Sequence, residues 1–462
     1  MGIVDGKVIE TTTQFEKPKT VLTTKEKIAF FAVNLGNIPL MSLLGGFLLI
    51  FYTDIVGLNP AMIGTLFLLS RVLDGVNDPI MGYVIDHLPQ TKMGRFRSYI
   101  IIGTLITTAV FLMMWLGPSL APSGKMAIAF IGYILFGFVF DLMDIPLNAM
   151  IPVMSAYDND RNILSNIKGI AYAVGGMVIY IVTIPIVSSF ATQRQGYHIL
   201  IIAASVFVLV FSILGTLGIK ERVYPVSQEA YKFRDVLRII GSKPVFAHFV
   251  NTLLLQIGNG LTQGTLIFFY TYVLNRPDLF ALAASGYIVG IIFASFVTPK
   301  LVRLFGKKNT KTFANILMMA GLFVLFFLPA NQPMLFVLVT LIISPGMGVN
   351  QILVYSIQAD NTDYIEWKKG YRAEGAIAAV NSFIIKAGLG VGSAVGAYLL
   401  AYVNYVPNQA QTVRTIQGLY WVNYLIPAMI SLVALGVWIF GYPLNKQMTQ
   451  VMRNELDILR GE

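Results

Sequence analysis

Residues 220–244 read KERVYPVSQEAYKFRDVLRIIGSKP, the longest charged run between apolar stretches in this chain of 462 residues. What flanks it decides the fold. A bilayer-spanning helix needs about 20 apolar residues. Stretches of that kind lie near 28–52, 61–86, 98–117, 126–151, 166–190 and 197–219 on one side. They recur near 245–274, 280–299, 312–330, 334–358, 373–403 and 416–441 on the other. Several hold Gly or Pro, which membrane helices tolerate. The pattern predicts an all-α membrane protein with twelve transmembrane helices in two six-helix halves. Its parts are an amino-terminal tail (1–27), a first bundle (28–219), a middle loop (220–243), a second bundle (244–442) and a carboxy-terminal tail (443–462).

Composition agrees. Hydrophobic residues make up 56% of the chain and charged residues only 12%, against about 25% charged in soluble domains. Mean hydropathy is +0.70. There is no cysteine, which excludes disulfides and thiol chemistry. Three scattered histidines make no metal site. The net charge of +10 would suit a nucleic-acid partner, but its placement points elsewhere. Of the 33 Lys and Arg residues, 27 fall on the side that an even helix count assigns to both termini. Four fall opposite (Lys125, Arg194, Arg276, Arg414), and Arg71 and Lys386 lie inside spans. Such a bias marks the cytoplasmic side, so both termini are expected there and no nucleic acid is implied. Residues 1–24 are polar and lack an apolar core, so no cleavable signal peptide is expected.

A weak internal repeat supports the two halves. Gly94-Arg95-Phe96-Arg97 follows the second span and Gly306-Lys307-Lys308 follows the eighth. Parallel repeats of this kind build many transporters.

Ionisable side chains inside spans cost about 2.5–3.5 kcal/mol each and are functional candidates by default. The second span reads SRVLDGVNDPIMGYVID (70–86). Asp74 and Asp78 share a helix face, Asn77 adjoins it and Arg71 lies one turn earlier. Two carboxylates and an amide offer hard ligands for Na+ at Asp74 and Asp78, or a group that takes a proton. The competing reading is a structural ion pair of Arg71 with one Asp. The fourth span, FDLMDIPLNAMIP (140–152), puts Asp141 and Asp144 on one face, with Pro146 freeing a backbone carbonyl beside them; the competing reading makes Asp141 a packing residue. The first span carries Asn34 and Asn37. The eleventh, VNSFIIKAGLGVGSAVG (380–396), carries Asn381, Ser382 and Lys386. Lys386 needs an anionic partner, which the other half can supply. Amides, carboxylates and an ammonium around a cavity suit sugar hydroxyls, whereas the glycines suit close helix packing. After the tenth span, QADNTDYIEWKKGYRAEG (358–375) holds Asp360, Asp363, Glu366 and Arg372. These form either a solvated loop or a cytoplasmic gate that pairs with Arg161 through bonds weak enough to break.

Taken together, FYTDIVGL (51–58), RVLDGVNDPIMG (71–82), MGRFRSYI (93–100), MDIP (143–146), ADNTDYIEW (359–367) and Lys386 resemble the glycoside–pentoside–hexuronide cation symporters of the major facilitator superfamily. The likeness runs from Lys25 to the carboxy terminus. It implies a major facilitator fold in a bacterial cytoplasmic membrane. It implies symport of a sugar or glycoside with Na+ or H+, a lipid bilayer as surroundings, no cofactor and no obligate protein partner. By resemblance Asp74, Asn77 and Asp78 bind the cation, with Asp141 at a fourth-helix Thr position of that site. Asp144 binds sugar beside it, Lys386 sits near both, and Arg161, Asp360, Asp363 and Arg372 gate the cytoplasmic side. The chain departs from the melibiose-transporting members, which have an Asp at Ile38 and Trp residues at Asn148 and Gln351. Asn148 and Gln351 therefore join the substrate set, melibiose specificity is not expected, and the extra acid at Asp141 favours proton coupling. No catalytic motif and no GxxxxGK[ST] phosphate loop is present, so neither an enzyme nor direct use of ATP is expected. The alternatives are a lysolipid or drug carrier on the same scaffold, and a non-transporting membrane sensor.

Overall fold

The computed structural model describes residues 21–460 apart from 88, 90, 122, 156, 223–240 and 371–373. The described residues are helical throughout, save for turns and one isolated bridge between Thr91 and Gly94. In chain order they form α1 (Thr24–Ile50), α2 (Pro60–His87), α3 (Arg97–Leu120), α4 (Lys125–Met154), α5 (Asp158–Ser188), α6 (Gln193–Gly218) and α7 (Lys243–Phe268). These are followed by α8 (Pro277–Phe327), α9 (Pro333–Lys369), α10 (Glu374–Tyr402), α11 (Val413–Tyr420), α12 (Ile426–Gly441) and α13 (Lys446–Arg460). Among the described residues, nine helical stretches are long and apolar enough to cross a bilayer, so this is a multi-pass membrane protein. Helices α2 and α7 fall short of that hydropathy because they carry the polar residues discussed below.

Local chemistry sets the ends. Thr23 and Glu26 form a reciprocal cap on α1. Thr192 and Thr412 cap α6 and α11 through their hydroxyls. Gly370 closes α9 in the left-handed conformation (φ 73°). Helix α8 spans 51 residues but is broken at Gly306 (φ 77°). Its two arms fold back on each other: the first meets α9 where Gly290 abuts Ser344 and Gly348 abuts Ile291, and the second meets the same stretch where Gly346 abuts Ala314.

The weak repeat becomes strong in three dimensions. α1 ends in a π-helical turn, FYTDI (51–55), and α7 ends in FYTYV (269–273). Each is sealed by the same bonds: Val56 N–H to Phe51 O and Leu58 N–H to Tyr52 O in one, Leu274 N–H to Phe269 O and Arg276 N–H to Tyr270 O in the other. Each is followed by a left-handed residue, Gly57 or Asn275. The basic loops match as well. Arg97 donates to the last carbonyls of α6 at Thr216 and Leu217, and Lys308 donates to Ile439 near the end of α12. The Glu221 carboxylate accepts the N–H groups of Arg95, Phe96 and Arg97, all at 2.8 Å, filling the amino end of α3.

Helices α1 to α6 pack mainly among themselves, as do α7 to α12, except that α2 packs most closely against α10. The two groups meet through α2 with α10, α5 with α8 and α1 with α7. At the end carrying the π turns this contact is bonded. Tyr272 and Tyr405 (2.7 Å) both donate to Asp54, and Asn408 Nδ2 donates to the Asp54 carbonyl at 2.7 Å. Thr65 and Tyr398 bond at 2.9 Å on the same side. Asp54 and Tyr272 are equivalent positions of the two FYT turns, so the repeats touch at like residues. Tyr405 lies in the connection after α10. Burial first, then the Asp54 charge, push its hydroxyl far above the usual tyrosine range, so it remains a donor.

Several expected boundaries move. The segment after residue 358 is not a loop, because α9 continues to Lys369 and carries Asp360, Asp363 and Glu366 as helix. Lys168 is not in a loop either, because α5 begins at Asp158. Lys311 lies fully buried in the second arm of α8. The expected carboxy-terminal tail contains α13, which docks through buried Met452 and Leu456. Glu455 receives the Trp367 indole N–H at 2.6 Å.

Candidate functional site

Near the middle of α1, α4 and α5 a chain of polar side chains runs from buried Asn37 to half-buried Asp144 and Lys168 and exposed Asn148. Asn37 Nδ2 donates to one oxygen of Asp144 at 3.4 Å, and Asn148 Nδ2 donates to the other at 2.8 Å. The Lys168 ammonium donates to Asn148 Oδ1, and Asp144 is close enough to act on it electrostatically. Asp144 lies about ten residues before the end of α4 and Lys168 about ten after the start of α5. At 1.5 Å per residue both sit roughly 15 Å in from the same end of the bundle. An acid, two amides and an amine at that depth can exchange their mutual bonds for those of a polyhydroxylated ligand.

A second pair of contacts lies beside the first. Asn77 Nδ2 donates to Asp141 at 2.8 Å with both residues buried, which joins α2 to α4. Arg71 bonds Asp74 at 2.7 Å, as the ion-pair reading expected. Asp74 lies against Gly137 of α4, one turn before Asp141, so the α2 and α4 acids face one seam. Among the described residues no three His, Asp or Glu groups gather as a metal-ion cage. The Asp78 side chain lies outside the described residues.

The remaining expected residues divide. Asn34 returns its amide to the Phe30 carbonyl at 2.7 Å, apart from the Asp144 chain. Gln351 lines a small cleft with Thr252, Gln256, Asn259 and Asn350. Asn381 is fully buried and donates to Gln358 at 2.9 Å. Ser382 and Lys386 are exposed side chains of α10. The α10 glycines serve packing: a Cβ on Gly392 would lie 2.1 Å from the Ile257 carbonyl of α7, and one on Gly390 2.0 Å from the Arg71 side chain of α2. At the opposite end from the π turns, Asp360 is 2% exposed and bonded by Lys307 (2.7 Å) and Arg453 (3.0 Å). Arg161 Nε donates to the Ser155 carbonyl at 3.0 Å. Asp363 and Glu366 share the α9 helix with Asp360, and Arg372 lies outside the described residues.

Lys168 is the residue that sequence reading missed. A span starting near 166 puts Lys168 at its very edge, among the loop cations, whereas the helix begins at Asp158. The acidic run Asp158-Asn159-Asp160 was the available signal, since acids favour the first turn of a helix.

The family described as MFS/sugar transport protein matches residues 30–446. This chain belongs to it. It is similar to the isoprimeverose transporter of Lactiplantibacillus pentosus, with 26% identity over 90% of this chain and 87% of that protein. It is also similar to the glucuronide carrier protein homolog of Escherichia coli (strain K12), with 28% identity over 89% of this chain and 90% of that one. Among solved structures, the nucleoside transporter NupG superposes with a TM-score of 0.65 at 13% identity. That match covers 91% of this chain and 99% of NupG, and it shows the shared fold. The protein is a transporter of the major facilitator type and not an enzyme.

Proposed function

We propose that this protein is a secondary active symporter that carries a sugar or glycoside with Na+ or H+ across a bacterial cytoplasmic membrane. Twelve transmembrane helices form two six-helix halves, 28–219 and 244–442, with both termini cytoplasmic. The matched FYT turns support the division, and the bias of the loop Lys and Arg residues to one side supports the orientation. The bonds around Asp54 then close the outer side, and the cleft opens inward.

The observation that carries the reading is the Asn37–Asp144–Asn148–Lys168 chain. Sugar hydroxyls both donate and accept, so they can replace its internal bonds one for one. Asp74, Asn77, Asp78 and Asp141 take the cation at the α2–α4 seam, and Na+ or a proton there offsets the carboxylate charge. Asp144 stands one turn along α4 from Asp141, so filling the seam orients the sugar acid. Each ligand raises the affinity for the other, and the effect is reciprocal. The halves rock about this midplane site, and Asp360, Asp363, Glu366 and Arg372 exchange partners with Arg161 as the inner gate closes.

Tracer uptake into proteoliposomes across a panel of pentosides, β-glycosides and uronides tests this, with an Na+ gradient and a pH gradient imposed separately. Accumulation of one glycoside above equilibrium is expected, and the effective gradient names the ion. No accumulation under either gradient would sink the reading in favour of a lysolipid or drug carrier.

A further inference from the structure

The helices after the middle loop enclose a polar cluster that the site above does not use. His248 of α7, Lys311 and Asn315 of α8 and Asn361 of α9 are all 0% exposed. Among the described residues the Lys311 ammonium has no hydrogen-bond partner. The same is true of both ring nitrogens of His248 and of both ends of the Asn315 and Asn361 amides. Lys311 lies over the Trp438 ring at 4.7 Å and acts electrostatically on His248, which has Asn381 beside it.

An unfilled buried polar group costs about 1–3 kcal/mol, and an uncompensated ammonium costs more. Such groups gathered around a buried ammonium call for partners of their own. The unfilled positions are donors and acceptors in mixture, which suits water and the protons it carries. A metal ion would need carboxylates, and the facing acid, Asp360 of α9, is already taken by Lys307 and Arg453. The other ionisable neighbours are Lys308, which reaches Ile439, and Tyr442, stacked on Trp438. Burial first, then the Asp360 charge, hold the Tyr442 hydroxyl far above its usual range, so it stays neutral. The α10 neighbour, Asn381, is uncharged.

The cluster is also connected. His248, Thr252 and Gln256 recur at four-residue steps on one face of α7, and Lys311, Asn315 and Met318 follow at steps of four and three on one face of α8. Both rows run into the small cleft that Thr252, Gln256 and Met318 help to line. We infer that Lys311 with His248 is a proton-binding site inside the carboxy-terminal helices, reached by water from that cleft. It is separate from the carboxylates of α2 and α4, so one scaffold holds two ionisable centres, one in each group of helices.

Thermal unfolding of the purified protein from pH 5 to 10 tests this without any substrate. The midpoint difference between wild type and Lys311→Met is expected to change by several degrees across the range, because only the wild type exchanges that proton. His248→Gln reads the pair from the other side should Lys311→Met fail to fold. A difference that stays constant with pH in the variants that fold overturns the site. Water access has its own readout, because the chain has no cysteine. Asn315→Cys should react with a small charged methanethiosulfonate in membranes, and an inert thiol overturns the water path. Neither measurement depends on glycoside transport, so failure of the symport reading and failure of this one are told apart.

Discussion

The polar side chains between the helices before and after the middle loop are satisfied by different means. In α1 to α5 charges meet charges or amides: Asp144 with Asn37, Asn148 and Lys168, Asp74 with Arg71, and Asp141 with Asn77. In α7 to α9 a lysine and a histidine share the interior with amides and no free acid. A closed network yields its bonds only to a ligand of like chemistry, so it discriminates. An open one admits water and responds to protons. The same contrast stands at the FYT turns, where the first half supplies an acid, Asp54, and the second its tyrosine donor, Tyr272. The two copies of the turn thus divide acceptor from donor.

The sharpest way to break this contrast is Asp144→Asn. It leaves the half-buried Lys168 without the acid that acts on it. Uptake is expected to fall at least ~100-fold, and Lys168→Met should match it. Uptake retained by either variant would remove the chain from the substrate site. Asp78→Asn and Asp74→Asn should next abolish cation-driven accumulation while sparing exchange of substrate down its gradient. Ion-dependent accumulation that survives in both would move coupling elsewhere, with the carboxy-terminal lysine the first place to look.

Packing gives a smaller effect. A Cβ on Gly260 would lie 2.0 Å from the Leu389 carbonyl, so Gly260→Ala forces α7 and α10 apart. A cost of about 1–3 kcal/mol is expected, read as a lowered unfolding midpoint. An unchanged midpoint would mean the crossing is looser than described. The smallest effect belongs to Tyr405→Phe, which removes one donor from Asp54 and about 1 kcal/mol from the bonded end. Accessibility labelling from the outer side should rise modestly, and no rise would show that Tyr272 and Asn408 suffice.

Much of this was legible in the chain. The spans, the motifs and the acids of α2 and α4 follow from hydropathy and from the cost of charge in lipid. The joining of Asn77 to Asp141 and of Asn37 to Asp144 was not legible, because it depends on how helices cross. Lys168 escaped because a cation near a span end reads as loop until the helix start is known. The FYT repeat was present at 51–53 and 269–271, but only its shared π geometry showed that the two copies do the same work.

By itself the sequence determined which segments enter the membrane, since lipid admits only helices whose backbone is bonded within the segment, and which residues within them are too costly to be idle. Only the tertiary structure decided which of those residues meet. Spacing along a helix assigns a face, but the partner of that face is set by packing, and packing closed the acids of the first helices while leaving Lys311 and His248 open.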